Sequence, residues 1–290
     1  MRAVVVGGGA WGTAFGGVLR DRGHDVLVAR RESIDAAPYA EADLVVLAVP
    51  SAAFREALGH VRGDAPVLVL TKGLDPATGA RLSTLVEGRP VAVLSGPNMA
   101  DEVAAGLPGV AVVASQDAAL ALRLQEALNS LAFRIYVNDD VTGVELCGAA
   151  KNVIALAAGG VDGLGLGDNA KAALITRGLV EMARLGEACG AAAETFSGLA
   201  GMGDLMVTCF HPSGRNRRAG ELIARGASPD EARAEIGQVV EGLTTAPVLR
   251  DLGRRIGVEL PITEGVCAVL EGMPLHELAE RLMGRRPTEE

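Results

Sequence analysis

The sequence has few aromatic residues and no excess of positive charge. Aromatic side chains make up 3% of the 290 residues. The formal net charge is -9, which argues against nucleic acids and anionic membrane surfaces as partners, because both require clustered positive charge. With 49% hydrophobic and 22% charged residues, the composition is typical of a globular protein with room for one large domain or two ordinary ones.

Cysteine is also scarce, and the four cysteines lie far apart without a CxxC pair: Cys147, Cys189, Cys209 and Cys267. This spacing predicts neither a zinc site nor a disulfide framework, and no metal is expected. The N-terminus enters a β-branched run directly, without the apolar region and cleavage site of a signal peptide. No apolar run reaches about 18 residues without charges or turn signals, so no membrane span is predicted. We therefore expect a cytoplasmic protein in a reducing compartment.

A glycine-rich turn follows the first predicted strand. Residues 3–6 are apolar and mostly β-branched, and a G-x-G-x-x-G follows at once with Gly7, Gly9 and Gly12. In such a turn the first glycine permits the tight bend, the second the approach of a pyrophosphate, and the third close packing of helix on strand. The following helix offers free N–H groups and a positive dipole to the pyrophosphate. The order of strand, glycines and helix predicts a dinucleotide site rather than a merely structural turn.

The end of the second predicted strand, residues 25–29, bears on the choice of dinucleotide. A site specific for NAD usually has an acidic residue there for the ribose 2′-hydroxyl. This chain has Arg30 and Arg31, followed by Glu32. Two guanidinium groups suit a 2′-phosphate, which predicts a preference for NADPH over NADH. The alternative is a solvated arginine pair, with Glu32 recognising the ribose.

Further strands alternate with helical segments in the first half of the chain. The predicted strands are residues 44–49, 67–70, 91–94, 110–114 and 134–137. This alternation predicts an α/β fold with a doubly wound parallel sheet, whose ligands lie beyond the carboxyl ends of the strands. Lys72 follows one such strand end and is a candidate site residue, although a surface lysine is the ordinary alternative.

The pattern changes after residue 138, where strand-like runs stop and helical patterns begin. We therefore predict a dinucleotide-binding domain of residues 1–138 and an all-α domain of residues 139–290. Residues 145–159 form an apolar helix, rich in alanine and glycine, that contains Lys151. An unpaired ammonium is costly to bury. Lys151 therefore either reaches the surface or a structural ion pair, or serves a site that faces the cofactor across the cleft.

Two polar stretches in the second half are further candidates. Asp204 follows a run of glycines at a predicted helix start, where it is either an N-cap or a site residue. The stretch RNRRAGE begins at Arg215 and gathers arginines in an otherwise acidic chain. Arginine near a helix N-terminus opposes the helix dipole, which makes a phosphate ligand an attractive alternative to a solvated helix start.

Together these motifs resemble the bacterial NAD(P)-dependent glycerol-3-phosphate dehydrogenases. The family's motifs occur in order between residue 7 and about residue 242: GGGAWGTA, TKGL, SGPNMA, AAKNVIALAAG, GDNAKAALITRGL, AGMGDLMVTC, RNRRAGE and GQVVEG. The resemblance implies a Rossmann domain followed by an all-helical substrate domain. It also implies reversible NAD(P)H-dependent reduction of dihydroxyacetone phosphate to sn-glycerol 3-phosphate, which feeds phospholipid synthesis.

The resemblance implies catalytic roles for four residues at matching positions. Lys151 matches the acid/base that donates a proton to the C2 oxygen, and Asp204 matches the group that positions it. Burial would then serve the reaction, because it lowers the pKa of a lysine toward the working range. Lys72 and Asn152 match the residues that orient and polarise the carbonyl.

Other matching positions are implied to bind the substrate or the cofactor. Besides Lys72, Lys151 and Asp204, the substrate positions are Gly96, Asn98, Thr208, Gly214, Arg215 and Asn216. Besides the glycine turn, the cofactor positions are Ala10, Trp11, Arg30, Arg31, Lys72, Ala100, Arg215, Val239 and Glu241. The expected partner is a small-molecule phosphate, and the oligomeric state stays open, with a homodimer as one option.

Two features depart from the family pattern. The segment of residues 31–43 is much shorter than usual, which changes the wall on the adenine side of the cofactor. The family often has serine before Arg-Asn, whereas this chain has Gly214, so one side-chain contact to the substrate is lost or replaced by backbone.

Two other functions remain as alternatives. A ketopantoate-reductase-like enzyme would share the architecture and a lysine but act on a carboxylate, which arginine also binds. A sensor would bind NADPH without turnover, and the presence of Lys72, Lys151 and Asp204 counts against it.

Overall fold

The protein, in a computed structural model that describes residues 1–278, is organised around one seven-stranded sheet. All seven predicted strands are confirmed: β1 Arg2–Val6, β2 Asp25–Ala29, β3 Leu44–Leu47, β4 Val67–Val69, β5 Val91–Ser95, β6 Gly109–Ala114 and β7 Phe133–Asn138. They lie in the order β2-β1-β3-β4-β5-β6-β7. The winding direction changes beside β1, and the carboxyl ends of the strands at such a switch point form a crevice for ligands.

Five of the strands are parallel and two run in the opposite direction. β1 to β5 are parallel, β6 pairs antiparallel with β5, and β7 is parallel to β6. The connection of residues 96–108 carries only the short helix α3, Ala100–Ala104, and returns from the edge at which β5 ends. A parallel neighbour would need a longer crossover to the opposite edge. The predicted α/β class is confirmed, and the reversal of the last two strands is a detail that the pattern did not indicate.

Helices flank the sheet and form the second half of the chain. In the first half these are α1 Ala10–Asp21, α2 Phe54–His60, α3, and α4 Ala118–Leu128. In the second they are α5 Val141–Gly163, α6 Gly167–Ala188, α7 Ala193–Ser197, α8 Asp204–Phe210, α9 Arg215–Ala224, α10 Pro229–Ile236, α11 Glu241–Ile256 and α12 Pro261–Leu270. β7 ends at Asn138, but the division into domains 1–138 and 139–290 stays a prediction, and its last twelve residues lie outside the described ones.

The sheet buries apolar side chains on both faces. Successive residues of a strand point to opposite faces, so a run such as Val4-Val5-Val6 contributes to two cores. On one face Val5 packs with Phe15 and Leu19 of α1. On the other face Val4 and Val6 belong to a larger core that extends into α5. The two halves of the chain therefore share one core through α5.

The helix α5 is buried along almost its whole length. By length and composition it could cross a membrane, but 89% of its most apolar 18-residue window is buried inside the protein. Asp140 caps its N-terminus by accepting the N–H of Gly143 at 2.8 Å. Glu145 ties it to the first half of the chain, since its carboxylate accepts the N–H and the hydroxyl of Ser83 at 2.8 and 2.6 Å. Burial raises the pKa of Glu145.

Glycines let α9 lie directly against α5. A Cβ atom at Gly159 would stand 1.8 Å from the backbone oxygen of Arg217, and one at Gly220 would stand 1.9 Å from that of Leu156. Both are far inside van der Waals contact, so these positions exclude any side chain. The small residues that make α5 unusual in the sequence thus fix how closely the two helices approach.

We predict that Gly220→Ala lowers the free energy of unfolding by about 1–3 kcal/mol or more, because the added methyl group forces α9 away from α5. Chemical denaturation monitored by circular dichroism measures this.

The matched control is Gly17→Ala in α1, where an added Cβ atom has no neighbour within 4 Å. It should be neutral or stabilising by up to about 1 kcal/mol, since alanine is the better helix former. Equal destabilisation by the two substitutions would contradict the packing argument.

Candidate active site

A buried carboxylate joins two lysines where the two halves of the chain meet. Asp204 begins α8 and is 1% exposed. Its Oδ1 accepts a hydrogen bond from Nζ of Lys151 on α5, and its Oδ2 accepts one from Nζ of Lys72 at 2.7 Å. Asp204 makes no side-chain cap to its own helix. Of the two alternatives that the sequence left open, the carboxylate therefore serves the lysines and not the helix end.

Lys72 follows β4 and also contacts the segment that follows β5. Its Nζ donates to the backbone oxygen of Gly96 at 3.2 Å and to Oδ1 of Asn98 at 3.0 Å. Gly96 has φ 141°, and a Cβ atom there would lie 2.8 Å from the backbone oxygen of Val110, so the turn requires glycine. Nδ2 of Asn98 is buried and makes no hydrogen bond to any described residue. Such a donor is costly to leave unpaired and is available to a ligand oxygen.

Burial and neighbouring charges set the protonation of this network. Burial, reinforced by Lys72 and opposed by Asp204, lowers the pKa of Lys151 to about 7. Burial acts to raise the pKa of Asp204, but the two lysines outweigh it and hold that pKa below its ordinary value. Nζ of Lys151 also donates to the hydroxyl of Thr208 at 2.8 Å. An amine that titrates near neutral pH beside a permanently ionised carboxylate is suited to proton transfer.

Asn152 and Asn216 continue the polar network away from the lysines. Nδ2 of Asn152 donates to the backbone oxygens of Lys72 and Gly148 at 3.0 and 3.3 Å. Its Oδ1 accepts from Nδ2 of Asn216 at 2.9 Å. Oδ1 of Asn216 in turn accepts the N–H of Gly242 at 2.8 Å. Both amide hydrogens of Asn152 are thus directed at backbone oxygens, and the chain of bonds links β4, α5, α9 and α11.

The glycine turn after β1 has the shape that a dinucleotide pyrophosphate requires. Gly7 has φ 115°, and a Cβ atom at Gly12 would stand 1.9 Å from the backbone oxygen of Gly7, so both glycines are needed for the turn itself. A Cβ atom at Gly9 would meet nothing within 4 Å, and Gly9 makes no side-chain cap to α1. The first N–H groups of α1, at Ala10 and Trp11, lack partners within the helix, as at any helix N-terminus. These features fit a pyrophosphate.

The two arginines after β2 lie in different surroundings. The side chain of Arg30 passes over the glycine turn, with its guanidinium carbon 3.1 Å from where a Cβ atom of Gly8 would stand. The side chain of Arg31 is 86% exposed and lies 3.4 Å from Glu56. Glu32 is exposed. Arg30 therefore borders the dinucleotide site, whereas Arg31 would reach it only by leaving Glu56.

Of the remaining cofactor candidates, Glu241 lies where β3 and β4 end, near Ser51 and Gly73. Glu241 accepts the N–H and the hydroxyl of Ser51 at 3.1 and 2.6 Å, and burial raises the pKa of Glu241. Arg215 is exposed and donates to the backbone oxygen of Val239 at 2.8 Å. Ala100 begins α3, which packs against α1.

Gly214 lies in a turn where a side chain would crowd the backbone. A Cβ atom there would stand 3.0 Å from the backbone oxygen of Thr208 and 3.1 Å from that of His211. The N–H of Gly214 donates to the oxygen of His211 at 3.0 Å. Where the family often has serine, this chain therefore has a glycine in a tight turn. The N–H group of that glycine is already used by a hydrogen bond within the turn.

Sequence reasoning missed two serines at strand ends. Ser95 ends β5 and its hydroxyl donates to Asp204 at 3.3 Å. Ser51 donates two hydrogen bonds to the carboxylate of Glu241. Each serine lies at the end of a predicted strand, and ligand sites in such sheets lie at that end of the strands. Ser51 and Ser95 belong to stretches, AVPS and SGPNMA, whose place at a sheet edge could have flagged them.

Comparison with known proteins identifies the family. Models of the N- and C-terminal parts of NAD-dependent glycerol-3-phosphate dehydrogenase match residues 35–121 and 140–280. The chain is 52% identical to a glycerol-3-phosphate dehydrogenase [NAD(P)+] of Symbiobacterium thermophilum, over 91% of this chain and 83% of that protein. It is 45% identical to that of Gloeobacter violaceus, over 100% and 99%.

The chain belongs to the NAD(P)-dependent glycerol-3-phosphate dehydrogenase family. It is thus an oxidoreductase that acts on a CH–OH group with NAD(P), as the motifs implied. The crystal structure of the Coxiella burnetii glycerol-3-phosphate dehydrogenase is 36% identical, with a TM-score of 0.92 over 98% of this chain and 99% of that one. The Rossmann-like sheet followed by helices is therefore the architecture of this family.

The structures also show how far the rival enzyme class resembles this chain. A ketopantoate reductase of Ralstonia eutropha has a TM-score of 0.54 and 17% identity over 96% of this chain and 100% of that one. This is a likeness of fold alone.

We predict that Asp204→Asn lowers the free energy of unfolding by about 3–5 kcal/mol at pH 6, because it leaves two lysines without their buried counter-charge. The part of the loss that comes from Lys151 should shrink as the pH rises from 6 to 8, because the pKa of Lys151 is about 7 and a neutral amine needs no counter-charge. Denaturation of both proteins across this pH range measures the effect.

Asp230→Asn serves as the control, because the Asp230 side chain is 90% exposed beside Arg233. It should cost no more than about 1 kcal/mol at any pH. A pH-independent loss for Asp204→Asn would indicate a packing defect in place of the lost charge.

Proposed function

We propose that this chain interconverts dihydroxyacetone phosphate and sn-glycerol 3-phosphate with Lys151 as the group that exchanges the proton. The observation that carries this proposal is the buried network of Lys72, Asp204 and Lys151 beside a dinucleotide turn. The nicotinamide, when bound, supplies or accepts the hydride. In reduction, protonated Nζ of Lys151 gives its proton to the C2 oxygen. In oxidation, neutral Nζ removes that proton.

Asp204 acts through the two lysines. One carboxylate oxygen orients Nζ of Lys151 and the other orients Nζ of Lys72, so both amines are fixed relative to each other before substrate binds. Lys72 keeps a positive charge next to the carbonyl oxygen, where negative charge develops during reduction. The free Nδ2 of Asn98, which neighbours Lys72, donates to a substrate oxygen in the same place. Thr208 fixes Lys151 from the opposite side.

Asn152 acts as a positioning residue in this proposal. Its amide hydrogens are engaged by Lys72 and Gly148, so it orients the backbone of Lys72 and does not polarise the carbonyl directly.

Arg215 and Asn216 bind the substrate phosphate together with the turn at Gly214. Arg215 is exposed and its bond to Val239 uses one nitrogen, so its guanidinium retains donors for phosphate oxygens. Asn216 keeps one amide hydrogen after its bond to Asn152. Gly96 contributes backbone atoms to the substrate site, next to Lys72.

The cofactor site comprises the glycine turn and the side chains around it. The turn with Ala10 and Trp11 binds the pyrophosphate. Ala100, Val239 and Glu241 line the rest, and Arg30 with Arg31 favours NADPH. The position of the Arg30 side chain over the glycine turn supports the preference for NADPH. The free thiols of all four cysteines support a reducing, cytoplasmic setting. We further propose that the dinucleotide-binding domain ends at residue 138 and that the protein forms a homodimer.

The test of the function is the initial rate of NADPH and NADH oxidation with dihydroxyacetone phosphate, with ketopantoate as the rival substrate. Turnover of the phosphate alone is expected. Turnover of ketopantoate alone would establish the reductase alternative, and NADPH binding without any turnover would establish the sensor.

We predict opposite pH dependences for the two directions. The kcat/KM of reduction should fall about tenfold per pH unit above about 7, because the protonated donor disappears. The kcat/KM of oxidation should rise through the same pH, because the neutral amine is the base.

Lys151→Ala is the companion variant. It should lose several orders of magnitude in turnover, about 10² to 10⁴ from acid–base catalysis alone, and the inflection near neutral pH. Unchanged NADPH affinity and melting temperature would show that the fold is intact. Near-normal turnover would remove Lys151 from the reaction.

For the cofactor, we predict that Arg30→Ala/Arg31→Ala weakens NADPH binding by at least about tenfold, because two charge-assisted bonds to the 2′-phosphate are lost. Binding of NADH, which lacks that phosphate, should change little. Fluorescence titration of both dinucleotides measures this, and equal losses for both would contradict the preference.

A further inference from the structure

Arg217, two residues after Arg215, faces away from the proposed phosphate site and into the protein. Its side chain is 14% exposed. Nη1 donates to Asp162 of α5 at 2.8 Å and to Glu221 at 3.2 Å. Nε and Nη2 donate to the backbone oxygens of His211 and Pro212 at 3.3 and 3.1 Å. The guanidinium thus directs four of its five N–H groups to acceptors within the protein.

A second buried cation completes this cluster, which we call the Asp162 cluster: Asp162, Lys171, Arg217 and Glu221. Lys171 on α6 is 5% exposed, and its Nζ lies 2.8 Å from the same Asp162 oxygen that binds Arg217. The Lys171 Nζ also lies 4.7 Å from the ring centre of Phe210, the last residue of α8. Glu221 is shared with a further cation, Arg225, whose side chain is exposed and lies 2.5 Å from it.

The cluster instead fixes the turn of residues 211–214, which joins α8 to α9. α8 carries Asp204 and Thr208, and α9 begins with Arg215 and Asn216. This turn contains Gly214, and glycine loses more conformational freedom on ordering than any other residue. Two side chains of α3 also contact this turn: Asp101 accepts the hydroxyl of Ser213 at 3.1 Å, and Glu102 lies 3.4 Å from the His211 ring. From α9, the two bonds of Arg217 to backbone oxygens are the side-chain contacts that hold the turn.

We propose that Arg217 is a positioning residue for phosphate recognition: anchored by Asp162 and Glu221, it holds the 211–214 turn so that Arg215 and Asn216 meet the substrate phosphate. The proposal rests on the function proposed above, since it assigns the phosphate to Arg215 and Asn216. It adds a determinant that does not touch the substrate.

The test is steady-state kinetics of Arg217→Ala with dihydroxyacetone phosphate and with dihydroxyacetone, which lacks the phosphate. The KM for the phosphate substrate should rise at least about tenfold with kcat within about threefold, since misplaced recognition groups mainly weaken binding. The kcat/KM for dihydroxyacetone should stay at the wild-type value. Asp162 keeps Lys171 as a partner in this variant, so no buried charge is left unpaired.

Arg233→Ala is the matched control, because it removes a guanidinium from the same half of the chain at an exposed pair with Asp230. It should leave both substrates unaffected. Arg217→Lys retains the charge and the reach toward Asp162 but cannot also donate to both turn carbonyls. Arg217→Lys should show most of the rise in KM for dihydroxyacetone phosphate, and it tests the proposal if Arg217→Ala does not fold.

Three outcomes would overturn the proposal. A wild-type KM for dihydroxyacetone phosphate in Arg217→Lys would mean that the positive charge at position 217 is sufficient and that the bonds to the turn are not needed. Equal losses on both substrates would mean a general structural defect. An unchanged KM for dihydroxyacetone phosphate would mean that the turn does not depend on Arg217. Failure of the proposed function is recognised separately, because the wild-type protein would then not prefer the phosphate substrate.

Discussion

The structure depends on a single carboxylate shared by two ammonium groups. Asp204 is nearly inaccessible to solvent and lies between Lys72, from the sheet, and Lys151, from the central helix. A buried ion pair of this kind does little for stability by itself, because desolvation offsets the attraction. The contribution of these ion pairs is instead to position the elements that carry them. The shared carboxylate requires β4, α5 and α8 to come together in one arrangement, and it sets the charge of each amine at neutral pH.

Close backbone packing makes this arrangement possible. The glycines of α5 and α9 allow their backbones to touch, and α9 consequently begins beside the lysine network. Polar side chains then fix the termini of the helices around the cleft, through Glu145 to the first half of the chain and through Asn152 and Asn216 to α11. Lys72, Lys151 and Asn152 are each held by a further side-chain hydrogen bond, with Asn98, Thr208 and Asn216 respectively.

Some features were predictable because their signal is local. β-branched runs marked all seven strands, and the glycines of the first turn marked the start of α1. The direction of β6 was not predictable, since it depends on where a connection returns and not on the strand's own residues. Arg30 and Arg31 read alike in the sequence, yet one borders the glycine turn and the other lies beside Glu56.

The sequence by itself determined the family, the order of elements and the candidates Lys72, Lys151 and Asp204, because ordered motifs and a cation in an apolar helix are properties of the chain alone. Only the tertiary structure decided which partners these groups have. It joined three residues that are 53 to 132 positions apart, turned Arg217 away from the phosphate site, and engaged the amide of Asn152 with backbone. Such contacts depend on long-range packing, and the distance between two side chains is not encoded in either residue's neighbours.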